Sequence, residues 1–142
     1  MSFLTKEEQS KIIAAIAAAE VQTSGEIKVH IEPHCKTEPI QRAIQVFEEL
    51  KMHATEQRNG VLIYLASKDH KFAIIGDKGI NEKVGESFWN DVKSMMQAKF
   101  KQQDFVNGLC DGIKLSGEKL KQFFPYQSND KNELSNEIST GS

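Results

Sequence analysis

The segment from Glu26 to Ile75 constrains the fold most, because it places three strand-like runs around one helix. From Glu26 to Glu32 the chain alternates strictly, with Ile27, Val29 and Ile31 set against Glu26, Lys28, His30 and Glu32. A period of two predicts a strand with one polar face, and Pro33 closes it. Val61 to Ala66 is continuously apolar, as a central strand covered on both faces requires. Between them, Thr37 as N-cap, Glu38 and Pro39 in a first turn, and Ile40, Ala43, Ile44, Phe47 and Leu50 predict an amphipathic helix of roughly four turns, ending before Asn59-Gly60. A helical crossover joins strands that lie parallel and right-handed. Ser67 to His70 is a turn, so Phe72 to Ile75 returns antiparallel and the sheet is mixed.

Helices are predicted on both sides of this unit. Thr5 and Glu8 form a capping box, followed by Ile12, Ile13 and Ile16 at helical spacing, which predicts a helix from Lys6 to Thr23. Further helices are expected over 82–98, with Val84, Phe88 and Val92 facing in, and from Asp104 to Phe124, burying Leu109, Cys110, Ile113 and Leu120 until Pro125 ends it. The expectation is a compact three-layer α/β/α sandwich with a small mixed sheet over residues 1–126. Residues 127–142 are polar and aperiodic, and read as a flexible C-terminal tail.

Lys and Arg number 18 against 20 Asp and Glu, a formal charge of −2, so no nucleic-acid partner is expected. The longest apolar run, Ile12 to Ala19, falls well short of the roughly 20 residues of a membrane span. The opening MSFLTKEEQ does not read as a signal peptide, and Cys35 and Cys110 form neither a disulfide framework nor a CxxC pair. A cytoplasmic monomer is the expectation.

The chain has no GxGxxG after a strand, no GxxxxGK[ST], no HExxH and no GxSxG. Gly76, Gly79 and Gly85 could cradle an anion at a helix start, though turn formation alone accounts for them. His30, His34, His53 and His70 read as exposed surface histidines, and Cys110 as a small buried hydrophobe. The carboxylates are more informative. Asp69 and Asp77 bracket the third strand, Asp104 opens a helix, and Asp111 follows seven residues later on the same face. Oxygen-rich loops of this kind hold magnesium or calcium when they converge. Equally, Asp69 and Asp77 are turn formers, Asp104 is an N-cap, and Glu26 is a surface charge.

Four strings, FLTKEEQSKI, SGEIKVHI, RNGVLIYLASKDHKFAIIGDKGI and FKQQDFVNGLCDGI, together resemble the TPM domain family, a YgcG-like, repair-associated and phosphatase-like group. The resemblance runs from about Leu4 to Phe124 and implies an α/β/α sandwich. It carries the family's Asn-Gly pair onto Asn59 and Gly60, the hairpin aspartate onto Asp69, the glycine turn onto Gly76 and Gly79, and the late aspartate and glycine onto Asp104 and Gly108. Arg58 stands where the family frequently has Asp. The resemblance implies a protein-interaction module associated with repair or assembly, with an unknown protein partner, and the carboxylate reading adds a divalent cation, Ca2+ or Mg2+, held by Asp69, Asp77 and Asp104. The alternative it implies is a metal-dependent acid phosphatase acting on phosphomonoesters, with Arg58, Asp69 and Asp104 as catalytic candidates and no organic cofactor. Arg58 would then counter charge in the transition state.

Overall fold

The computed structural model describes residues 3–126 and 136–141. The chain forms two compact units, Met1–Gly25 with Glu86–Asp130, and Glu26–Gly85 with Lys131–Ser142. The class is α/β with a four-stranded mixed sheet, as the strand and helix periods predict.

The sheet lies in the second unit. Strands β1 (Glu26–Glu32) and β2 (Gly60–Ala66) pair in parallel, with Ile27 opposite Val61 and His30 opposite Tyr64. Strand β3 (Lys71–Gly76) returns antiparallel to β2, Ile63 facing Ile74. Helix α2 (Pro39–Glu49) is the crossover, with Pro39 in its first turn. It is shorter than the predicted four turns, because Lys51 turns into the left-handed region at φ 56° and a 3-10 turn (Met52–Ala54) follows. Ala43, Val46 and Phe47 of α2 share a core with Cys35, Met52, Leu62, Tyr64, Ala66 and Ala73. One turn of helix, α3 (Lys78–Asn81), follows β3 and is capped by Asp77.

The first unit is helical. Helix α1 (Lys6–Glu20) opens on the predicted capping box, Thr5 Oγ1 accepting from the Glu8 N–H and Glu8 Oε1 from the Thr5 N–H. The expected helix over 82–98 does not form as one piece. A 3-10 turn (Glu86–Trp89) leads into α4 (Asn90–Lys101), so that Trp89, Val92, Met96 and Phe100 are buried together. A straight helix facing Val84, Phe88 and Val92 inward would have placed Trp89, the bulkiest of these side chains, off its buried stripe. Helix α5 (Phe105–Lys121) buries Leu109, Ile113 and Leu120 as expected, while Cys110 is half-buried. Between those residues runs a stripe of small ones. A Cβ on Gly108 would stand 2.6 Å from the Phe100 ring, on Gly112 2.5 Å from Met96 Sδ, and on Gly117 2.9 Å from Ala19 Cβ, so the glycines let α4 and α1 approach α5 closely. Near the end of the unit, Thr23 Oγ1 donates to the Phe124 carbonyl, and Ser24 N–H reaches the same oxygen at 2.9 Å.

Two expectations are corrected. Of the residues read as a tail, 127–135 and 142 lie outside the described residues. Residues 136–141, however, lie along β1, and Ser139–Thr140 form β4, parallel to His30–Ile31, giving the order β3-β2-β1-β4. A two-residue strand leaves no periodic signal, so composition alone read it as tail. Secondly, the polar face of β1 is not solvated. All seven of its residues are buried, His30 at 4% exposure and Glu26 at 3%, against the expectation of surface charge.

Candidate functional site

The site around the predicted Arg58 begins in the loop from Thr55 to Gly60. Arg58 adopts φ 53°, a left-handed conformation that costs a non-glycine residue energy and persists only where neighbours enforce it. Those neighbours can be named. The Arg58 N–H donates to the Thr55 carbonyl at 3.3 Å, and the Gly79 N–H donates to the Arg58 carbonyl at 2.8 Å. A Cβ on Gly79 would stand 2.2 Å from the Gln57 carbonyl oxygen, so glycine is required there. The Asn-Gly pair and the glycine turn, separate features in sequence, are therefore one interlocked structure.

From this loop Arg58 reaches Asp77 with two parallel bonds, Nε to Oδ2 at 2.8 Å and Nη2 to Oδ1 at 2.9 Å. Asp77 is buried, its Oδ1 also accepts from the Lys78 N–H at 2.7 Å, and its own N–H donates to the Gly60 carbonyl. The carboxylate thus occupies the start of α3 itself, the place considered for an anion. The planar guanidinium makes the fork that a point charge cannot. Beside the pair lies a groove of about 950 Å3 with Ile44, Phe47 and Ile75 among its apolar lining and His53, Glu48, Lys78 and Glu82 among its polar one.

Asp69 stands at the far end of β3. Its Oδ1 is 2.9 Å from His34 Nδ1 and its Oδ2 accepts from the Cys35 N–H at 2.7 Å. The His34 bond first, and then the backbone donor, hold its carboxyl below the usual aspartate value. The strand between Asp69 and Asp77 rises about 3.4 Å per residue, so the two carboxylates are roughly 20 Å apart and one cation does not take both. Asp104 belongs to the helical unit, where it caps α5, accepting from the Asn107 N–H at 3.4 Å and Nδ2 at 3.0 Å. The expected convergence of Asp69 and Asp77 is corrected accordingly. Among the described residues no three His, Cys, Asp or Glu side chains are grouped to hold a metal.

A second constellation escaped the sequence reading. Glu32, 5% exposed, accepts from Arg42 Nε at 2.8 Å and Nη2 at 3.0 Å, from Tyr64 OH at 2.5 Å, and pairs with His30 Nε2 at 2.9 Å. Burial pushes this carboxyl up, but the bonds from Arg42, Tyr64 and His30 outweigh it and hold the pKa down to about 2. Burial and the Glu32 bond push Tyr64 well above the ordinary phenol value. The other His30 ring nitrogen, Nδ1, lies 2.9 Å from Ser139 Oγ, and the ring stacks on Tyr64. The available signal was the alternation of β1 itself. A strand paired to a continuously apolar neighbour is covered on both faces, so polar residues there need partners.

Among the described residues no helix is long and apolar enough to cross a membrane. No curated protein matches the chain. The BA42 protein of the psychrophilic bacterium Bizionia argentinensis, solved by NMR, is 47% identical over 99% of this chain and 97% of its own, with a TM-score of 0.93. The N-terminal domain of the cg2496 protein from Corynebacterium glutamicum, 13% identical over 99% of this chain and 81% of its own, has the same fold with a TM-score of 0.63. The family model of the TPM domain matches residues 1–119, and with that extent of match the chain belongs to the TPM domain family.

Proposed function

We propose that this TPM domain is a protein-interaction module of the repair or assembly kind, and that its contact surface is the groove beside Arg58 and Asp77. The observation that carries this reading is the groove's build. Ile44 is 47% exposed on α2 and shares the lining with Phe47 and Ile75, while Lys78, Glu48 and Glu82 add charge. An apolar floor with a charged border is what a partner's apolar anchor and flanking polar groups require. The carboxylates considered as metal ligands support the same reading from the other side, since Asp77 pairs with Arg58, Asp69 holds the Cys35 turn and Asp104 caps a helix.

The test is a peptide-library selection on the immobilised chain, with the enriched peptides titrated into labelled protein. Amide shifts at Ile44, Ile75 and Lys78, lost in Ile44→Asp, are expected. Failure to enrich any peptide, or shifts confined elsewhere, overturns the reading. Release of phosphate from a generic phosphomonoester that requires Ca2+ or Mg2+ and disappears in Asp104→Asn would support the phosphatase instead.

A further inference from the structure

The Ser139, His30 and Glu32 side chains form one hydrogen-bonded line. Glu32 is ionised and accepts only, so His30 Nε2 carries the proton of the 2.9 Å bond to Oε1. In the neutral ring, Nδ1 is then the acceptor, and the 2.9 Å contact to Ser139 is an O–H donating to it. Three further bonds from Arg42 and Tyr64 fix the carboxylate. Gly141 closes over the line, since a Cβ there would stand 2.4 Å from Glu32 Oε1 and 3.1 Å from His30 Nε2. Burial is graded along it. Glu32 and His30 are buried, whereas Ser139 is only partly buried, in the edge strand β4. A hydroxyl on a base, the base on a fixed carboxylate, and burial that eases only at the serine residue are the arrangement of an activated serine, recognised by geometry whatever its place in the sequence.

We propose that Ser139 is a nucleophile, with His30 as its general base and Glu32 as the positioning carboxylate, and that it accepts the acyl group of an activated ester at the β4 edge. Ser139 Oγ bonds to the carbonyl carbon while its proton passes to His30 Nδ1. The bond from that carbon to the leaving alkoxide breaks, and the alkoxide takes the proton from Nδ1. Water then gives a proton to the same nitrogen as its oxygen bonds to the acyl carbon, the bond from that carbon to Oγ breaks, and Oγ takes the proton back from Nδ1, which releases the carboxylic acid and restores Ser139. Here the ring nitrogens exchange the roles they have in the better-known triads, Nδ1 serving the serine and Nε2 the carboxylate.

The test uses the full chain and a fluorophosphonate, which forms an Oγ–P bond with loss of fluoride and reports by mass. A single adduct on Ser139 is expected, absent in Ser139→Ala at unchanged melting temperature. His30→Gln should slow labelling by about a hundredfold or more, in protein that still melts as a folded chain. Glu32→Gln should slow it as well; if that variant does not fold, His30→Gln and Ser139→Ala decide alone. No adduct on Ser139, or labelling of His30→Gln at the original rate, overturns the proposal and leaves the line as a fastening for β4.

Discussion

Gly79 and Asp77 show how much one residue can carry when backbone meets backbone. At Gly79 an added methyl would meet the carbonyl oxygens of Gln57 and Arg58 at 2.2 and 2.6 Å, and neither can rotate away as a side-chain tip would. Gly79→Ala should therefore move the whole Arg58 loop and destabilise by about 1–3 kcal/mol or more, read as a drop in the urea midpoint. Gly85→Ala is the matched control, because nothing lies within 4 Å of its added Cβ; an equal loss in both would sink this account. Asp77→Asn keeps the shape and a cap acceptor but removes the charge facing Arg58. The Arg58 side-chain NεH resonance should then lose its protection from solvent exchange, while the Asp69 end of β3, some 20 Å away, keeps its shifts.

At the scale of elements, strands β1 to β3 were legible, and β4 and the breaks between helices were not. Period two in β1 and the unbroken apolar run in β2 placed both within a residue, and the short Ser67 to His70 link fixed β3 as antiparallel. What fixes the ends of α2 and α4 is less local. Lys51 leaves the helix by a positive φ with no glycine to announce it, and the interruption before α4 falls at 82–85, ahead of the 3-10 turn that carries the buried Trp89. Nor did the small-residue stripe of α5 stand out, since apolar periodicity counts what is large. β4 is the sharpest case, a strand of two residues whose hold on β1 comes from Lys28 Nζ donating to the Glu137 carbonyl at 2.7 Å, Ser139 on His30, and the Gly141 N–H on the Ile31 carbonyl. Gly141→Pro removes that donor and places atoms where Glu32 Oε1 already lies. The expected outcome is faster amide exchange at Ile31 and loss of the Ser139 to His30 contact, with the β2–β3 amides unchanged. Unchanged exchange at Ile31 would mean that β4 does not cover the strand.

For the whole molecule, the site was legible as residue types and not as partnerships. Arg58 and Asp77 could each be named from the sequence, but their bidentate pairing depends on a left-handed loop and a glycine contact that no spacing reveals. The Glu32 cluster was hidden because charged residues alternating along a strand read first as a wet face. Its consequence is a dependence of stability on pH that the net charge of −2 would not suggest. Glu32 lies at about 2 in the folded protein against 4.5 when free, a depression that stabilises the fold above 4.5. Asp69, also depressed, adds in the same direction. Since folding lowers these values, their contribution is complete above pH 4.5 and is lost as pH falls from there towards 2, Glu32 alone accounting for about 3 kcal/mol. Tyr64 acts with the opposite sign, because burial and its bond to Glu32 raise it above the free value of 10.0. Its contribution is intact below pH 10 and declines as pH rises beyond that. Urea midpoints should thus be level between about pH 5 and 9 and fall on both sides. In Glu32→Gln the midpoint at pH 7 should be lower and the acid fall much shallower, leaving mainly the part due to Asp69 and the other carboxylates. An acid limb of unchanged depth in that variant would show that Glu32 is not the group responsible.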